Sequence, residues 1–517
     1  MVVTQRADDV ASGSVNLAEA LARPGATEPD RIALTGPEPL THGRLQARAG
    51  SLARRIAQQA QSGDRVAIVA GNEPAFVVAY LAILRAGAVA VPLNVASPSH
   101  EIARELAAVT PALVVASPAY ADLARRALAQ SDAGTPVFTL DDIEHETEQY
   151  APVPRDPHDL AVLLFTAGTA GAPKPAMLTH GSLLANIEQM QAHPGLSIVP
   201  DDVALAVLPF FHVYGLNVVL GLTLHAGGAV ALVEHFHPAE SLERVRADGV
   251  TVIAGVPSMY AAWLALGDDD VPAGAFSNVR LCVSGAAALP DEDAIAMRRR
   301  FGVAVHNGYG LTEASPAVTT TAIVPEPRIG SVGPPLPGIE VELRDADGNP
   351  VLEGDPGEVT VRGANVFAGY WNDPDATAEV LRDGWLHTGD IAVADPDGWL
   401  ALVDRAKDIV IVSGFNVYPG EVEDALRSHP SVQDVAVVGE PHPRTGETVV
   451  AFIVPAEGRA PDPVELLRHA GRSLARYKLP TRVEVVDALP RTLAGKVVRR
   501  ELSERTRRPP EATTKPA

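Results

Sequence analysis

Residues 163–181 read LLFTAGTAGAPKPAMLTHG: an apolar strand, a loop of threonine, glycine and alanine, a lysine, and then a helix-forming stretch, SLLANIEQMQ. Glycines let backbone N–H groups converge on an anion, and threonine hydroxyls add donors. Lys174 can meet a phosphate as a point charge. The loop is not of the Walker type, because the G-x-x-x-x-G-K-[ST] spacing is absent. Alone, such a stretch also reads as a structural turn. Lysine is scarce in this chain: five in 517 residues, against 37 arginines. A compact ammonium does what a planar guanidinium cannot. Lys174, Lys407, Lys478 and Lys496 all lie in short motif-like stretches (GTAGAPK, DRAKD, RYKLP, LPRTLAGK), and Lys515 lies in a Pro/Thr tail.

Four more stretches carry chemistry. NGYGLTEAS (307–315) sets Tyr309 between glycines and Glu313 after Thr312. WLHTGDI (385–391) puts Asp390 after a glycine turn. DRAKDIVIVSGFNVYPGEVE (404–423) joins a charged, hinge-like segment to a strand, a glycine turn and a helix. LPRTLAGKVVRREL (489–502) places Lys496 after a glycine. Singly, each also reads as a turn, a cap or a solvated charge cluster. His212 lies inside the apolar segment LPFFHVYG, where a histidine is by default a satisfied core residue.

The elements that must position these residues follow an α/β layout with mostly parallel sheets. DRVAIVAGNEPAFVVAYLAILRAGAVAVPLN (64–94) is a strand–helix–strand unit, and ALVVAS, VALAVLP, AVALV, VTVIAG and VRLCVSG are further buried strands. After about residue 330, turn signals (PPLPG, RDADGNP, EGDPG, DPDG) alternate with short strands, which predicts a small β-rich subdomain. The expected organisation is a large N-terminal domain over 1–404, a hinge at 405–408, and a small α+β domain over 409–502. Its helices would be VEDALRSHP and PVELLRHAGRSLARY, and residues 503–517 would form a disordered tail.

Composition is globular, with 46% apolar and 21% charged residues. A single cysteine, Cys282, excludes an internal disulfide framework and a Cys-rich metal site. Net charge is −22, split as 18 Lys and Arg against 15 Asp and Glu from Arg405 onward, and 24 against 49 before it. The acidic bulk argues against nucleic acid as a partner. The first sixteen residues do not read as a signal peptide. Between Asp202 and Glu234 no residue is charged, which is long enough to span a bilayer. Pro209, His212, Asn217 and Gly227–Gly228 interrupt the run, so it parses as strand, helix, turn and strand. The expectation is a cytoplasmic protein without a transmembrane span; a homodimer stays open.

Together and in this order, the five stretches resemble the adenylate-forming enzymes: acyl-CoA synthetases, luciferases and peptide-synthetase adenylation domains. The resemblance covers residues 16–502 and is nearest to fatty acyl-CoA synthetases, with aryl-acid-CoA ligases next. It implies a large domain, a hinge and a mobile small domain. It also implies ATP, Mg²⁺ and coenzyme A acting on a medium or long carboxylic acid. Thr166, Gly168, Thr169, Gly171 and Lys174 would hold the β,γ-phosphates. Tyr309 would stack on adenine beside Asn307, Gly308 and Gly310, and Thr312 would touch the α-phosphate. Glu313 would hold Mg²⁺ with Thr166. Asp390 would take the ribose hydroxyls and Arg405 the ribose or phosphate. Lys496 would neutralise charge at the reacting oxygens. His212, Val213, Gly285, Ala286 and Ala287 would line the acyl site, with His212 at its mouth. Lys407 would mark the hinge, and Gly414 and Phe415 would serve the CoA side. Ala167, Ala170 and Pro175 stand where the family usually has Ser, Thr and Gly, which removes two hydroxyls and one N–H. A homologue that binds acyl groups or nucleotide without turnover is the rival class.

Overall fold

The computed structural model describes residues 15–131, 134–140, 150–167, 173–287, 289–326, 328, 330–345, 347–405, 410–417, 419–490, 497 and 499–506, with backbone alone at 167, 403–405, 416 and 500. The chain divides into two compact units, the larger taking in residues up to 166 and 173–406, the smaller residues from 407 onward together with 167–172.

In the larger unit the six-stranded sheet runs in the order Val137–Thr139, Leu113–Ala116, Arg65–Val69, Val89–Pro92, Leu160–Ala167, Pro173–Thr179. Its first five strands pair in parallel. The crossover helix Pro74–Arg85 explains itself: its residues FVVAYLAIL are apolar on all sides, and all are buried. A helix with no polar face must be covered all round. The eight-stranded sheet runs Ala317–Thr320, Val305–Gly310, Leu281–Ser284, Val252–Gly255, Val203–Ala206, Ala229–Leu232, Ile32–Thr35, Leu40–Thr41, antiparallel only at its two outer pairs. Ligands of such sheets gather beyond the carboxyl ends of the parallel strands. Gly285–Ala287 and Asn307–Gly310 lie at two such ends.

The uncharged stretch resolves into the strand Val203–Ala206, a π-helical segment Tyr214–Gly221, the helix Leu222–Ala226 and the strand Ala229–Leu232. Gly227, at φ 79°, ends the helix in the left-handed region open to glycine. Among the described residues no helix is long and apolar enough to cross a membrane. The β-rich piece is an antiparallel sheet of Glu340–Arg344, Gly357–Arg362, Leu381–Arg382, Trp385–Ala394 and Leu400–Arg405.

The smaller unit has a sheet of Phe415–Val417, Val410–Val412, Gly446–Pro455, Val432–His442 and Arg482–Val485. Val412 and Phe415 pair across Ser413 (φ 53°) and Gly414 (φ 82°), a two-residue hairpin whose central residues both need positive φ. Two expectations need correction. The helix expected through PVELLRHAGRSLARY stops at Ala470, before Gly471, and Arg476–Lys478 is a separate 3₁₀ turn. The tail expected over 503–517 is corrected at its start, because the helix Arg499–Thr506 carries fully buried Leu502 and buried Thr506 into the core; residues 507–517 lie outside the described residues.

Lys478 Nζ donates to Glu421 Oε1 at 2.7 Å, with the side chains 10% and 6% exposed. Removing one partner of a buried pair costs about 3–5 kcal/mol, because the other charge stays desolvated. Lys478→Met should therefore lower the unfolding midpoint of the smaller unit sharply. Lys478→Met combined with Glu421→Leu should recover much of the loss, as read by denaturant unfolding.

Candidate active site

Tyr309 lies in the strand Val305–Gly310, opposite Thr319. Its hydroxyl donates to Asp390 Oδ2 at 2.8 Å, which joins the end of the parallel sheet to the β-rich sheet. Asp390 is set by its own strand. Thr388 Oγ1 accepts from Asp390 N at 3.1 Å and donates to Val359 O at 2.7 Å. The Asp390 backbone pairs with that of Arg405 in register. Asn307 Nδ2 donates to Ser331 O at 3.1 Å, and Asn307 N donates to Thr321 Oγ1 at 2.8 Å. Gly310 has a steric reason to be glycine: a Cβ there would sit 2.1 Å from Pro316 O. Gly308 has none, since its Cβ would meet Thr319 O at 3.5 Å.

Thr312 and Glu313 follow in the 3₁₀ turn Thr312–Ala314. Glu313 Oε1 accepts from Tyr370 Oη at 2.6 Å, and Glu313 O accepts from Phe367 N at 2.9 Å. Lys174 begins the opposite side of the same cluster. Its Nζ lies 2.8 Å from Asp373 Oδ2 and 5.6 Å from the Tyr370 ring centroid. Thr166 Oγ1 donates to Lys174 O at 3.2 Å, tying the two strands that flank the loop. The segment after Phe367 is stitched to the lysine strand by Met177 N–Gly369 O, Ala368 N–Met177 O and Trp371 N–Pro175 O, at 2.8–2.9 Å. Pro175 therefore gives up an N–H but uses its carbonyl. The hydrogen bond from Lys174, followed by the helix-cap bond from Ala376 N, holds the Asp373 carboxyl below its ordinary range.

At the other end, Val213 is buried and His212 is partly buried, with Nδ1 accepting from Tyr214 N at 3.2 Å. Burial pushes its imidazole down to about 4. Tyr214 and Tyr260 both donate to Val283 O, at 3.4 and 2.9 Å. The Tyr214 ring fills the space beside Gly285, where a Cβ would lie 3.0 Å from Tyr214 Cε1. Gly255, paired with Ser284 on the adjacent strand, would meet Tyr260 Oη at 3.2 Å. Ala286 follows at φ 65°, and Ala287 comes next.

Tyr214, Tyr260, Tyr370 and Asp373 escaped the sequence reading. Only FAGYWNDPDA carried a signal, because Asp followed by Pro is a helix start. Gly168, Thr169, Gly171, Lys407 and Lys496 lie outside the described residues, as does the Arg405 side chain. In the smaller unit Gly414 forms the hairpin, and the Phe415 ring lies 4.6 Å from that of Tyr477.

An anion site beside a carboxylate, and a tyrosine–aspartate pair at a strand end, suit a nucleotide. Residues 21–371 match the AMP-binding enzyme family and residues 421–496 its C-terminal domain. This chain belongs to the AMP-binding enzymes. A feruloyl-CoA synthase of Amycolatopsis sp is 40% identical over 469 residues, 90% of this chain and 94% of the relative. A long-chain-fatty-acid–CoA ligase of Bacillus subtilis is 34% identical over 482 residues, 86% of each chain. Among solved structures, the amide bond synthetase McbA from Marinactinospora thermotolerans superposes with TM-score 0.84 at 31% identity, covering 95% of this chain and 99% of its own. A malonyl-CoA ligase with methylmalonyl-CoA and AMP bound gives 0.80 at 38% identity, covering 89% and 97%.

Tyr309→Phe keeps the ring and removes the hydroxyl that orients Asp390. Loss of one hydrogen bond to a charged group, about 1.5 kcal/mol, should lower thermal stability modestly, and the loss of Asp390's orientation should weaken AMP binding up to roughly tenfold. Titration calorimetry checks this.

His180 resembles His212: its Nδ1 accepts from Leu17 N at 3.1 Å, and burial pushes it down to about 4. Protonation would break both bonds. The unfolded chain binds these protons near pH 6.5 and the folded chain does not, so stability is full above pH 6.5 and falls toward pH 4. Chemical denaturation at pH 7.5 and 5 should show that drop, and His212→Gln should reduce it, leaving the share of His180.

Proposed function

We propose that this chain joins a carboxylic acid to coenzyme A, using ATP, through an acyl-adenylate, and releases AMP and pyrophosphate. Membership of the AMP-binding enzymes and similarity to two acyl-CoA-forming relatives support the reaction class. In this reading Tyr309 packs on adenine with Asn307 and Gly308, Asp390 and Arg405 take the ribose, and Thr312 takes the α-phosphate. Lys174 and the loop donors Thr166, Gly168, Thr169 and Gly171 take the outer phosphates. The fit to Mg²⁺ rests on Glu313, a hard carboxylate fixed by Tyr370. Mg²⁺ takes one or two carboxylates together with substrate phosphates, and when bound it offsets phosphate charge. Among the described residues no group of three or more His, Cys, Asp or Glu could hold a metal unaided, so the nucleotide would supply the remaining ligands. Lys496 would reach the reacting carboxylate from the small domain. That domain then turns about Lys407 so that Gly414 and Phe415 serve the thiol step. The acidic charge and single buried thiol suit a cytoplasmic setting.

For the acid, our reading rests on the Tyr214 ring packed against Gly285. A ring beside a backbone strip makes a flat, rigid wall, which suits a planar acid better than a long flexible chain. Neutral His212 at the mouth can hydrogen-bond such a ligand without carrying charge. We therefore place a feruloyl-like aryl acid ahead of the fatty acid that the sequence motifs put first. In ATP–pyrophosphate exchange and CoA-ester assays, hydroxycinnamates should exceed C12–C16 acids at least tenfold in kcat/KM. Tyr214→Ala should shrink or reverse that ratio. Preference for C12–C16 acids in the unaltered enzyme would return the fatty-acid reading.

A further inference from the structure

Asp373 meets Lys174 under unusual constraint. Its Oδ2 holds the ammonium at 2.8 Å, while its Oδ1 accepts from Ala376 N at 2.9 Å and caps the helix Pro374–Val380. Three backbone hydrogen bonds fix the segment around it against the lysine strand. Neither side chain searches for the other; register delivers them. Yet Lys174 and Asp373 stay 23% and 34% exposed, and exposed pairs contribute little, a few-fold at most in an equilibrium constant. The pair is thus well ordered and easily displaced. A triphosphate carries more charge than one carboxylate and can take the ammonium over.

We propose that Asp373 is a positioning residue that stands in for phosphate at Lys174 between turnovers and takes the lysine back as pyrophosphate leaves. The idea rests on the reading that Lys174 meets the outer phosphates of ATP. The carboxylate keeps Lys174 over the ring of Tyr370, whose hydroxyl holds Glu313, where in this reading the charge of an incoming nucleotide arrives. It also makes pyrophosphate release an exchange of one anion for another, so no lysine charge is left bare.

Asparagine caps helices about as well as aspartate, so Asp373→Asn removes the charge and keeps the fold, which an unchanged melting temperature confirms. With the full-length enzyme, KM for ATP and the inhibition constant for pyrophosphate should both fall two- to fivefold, without a rise in kcat. In a Lys174→Gln background Asp373→Asn should change neither constant. An unchanged or higher KM for ATP in Asp373→Asn would overturn the proposal. So would an equal fall in the Lys174→Gln background, which would mark plain repulsion of the nucleotide by Asp373. Should Lys174→Gln alone leave KM for ATP unaltered, the phosphate reading itself fails and the exchange with it.

Discussion

Tyr370 sits between two opposite charges, and the larger unit is arranged around that position. Its hydroxyl holds the Glu313 carboxylate at 2.6 Å, and its ring faces the Lys174 ammonium at 5.6 Å. A phenol can serve both because its edge carries the polar O–H and its face the negative quadrupole. An ion pair made directly between Lys174 and Glu313 would neutralise the groups proposed to receive phosphate and metal. The aromatic spacer keeps the two charges near each other and separately usable. The backbone bonds between residues 175–177 and 368–371, and the Glu313 O–Phe367 N bond, hold the ring at that place.

Glycines make room for the rings nearby. Gly285 and Gly255 end adjacent parallel strands, and each leaves space for a tyrosine whose hydroxyl reaches Val283 O. Gly310 yields to a carbonyl. The π-helical segment that opens with Tyr214 adds to this. Asn217 within it donates to Leu183 O at 3.1 Å and to Ser315 O at 2.7 Å, tying this segment to the Glu313 turn. One extra residue per turn re-aims side chains, which is why such segments gather at functional sites.

The parallel strands were legible because buried strands read as unbroken apolar runs, and the residues proposed to hold nucleotide stand out in sequence because each lies in a compact motif. Tyr370 and Asp373 were not, since their partners lie 57 and 199 residues away in the chain, and only strand register brings them together. Gly471 is a weak stop in a pattern that otherwise stays helical, so the sequence pattern overextends the helix that ends at Ala470. In sequence Leu502 has Val498 four residues before it but no apolar residue in the turn after it, so the run of the last helix to Thr506 was not legible.

Lysine usage has a physical answer at the two lysines whose surroundings are described. Lys174 and Lys478 each reach a carboxylate oxygen, at 2.8 and 2.7 Å, with a tyrosine ring centroid 5.6 and 6.0 Å away. Arginine works differently in this chain: Arg280 spreads over Asp202 through Nε at 2.7 Å and a terminal nitrogen, a fork that needs a whole carboxylate edge. At Asp373 that edge is not available, because Oδ1 is committed to the helix cap. A guanidinium there would have to break the cap or settle for one bond, whereas an ammonium takes the single oxygen and keeps two donors for an anion. The same argument makes Lys174→Arg a poor substitute although it conserves charge.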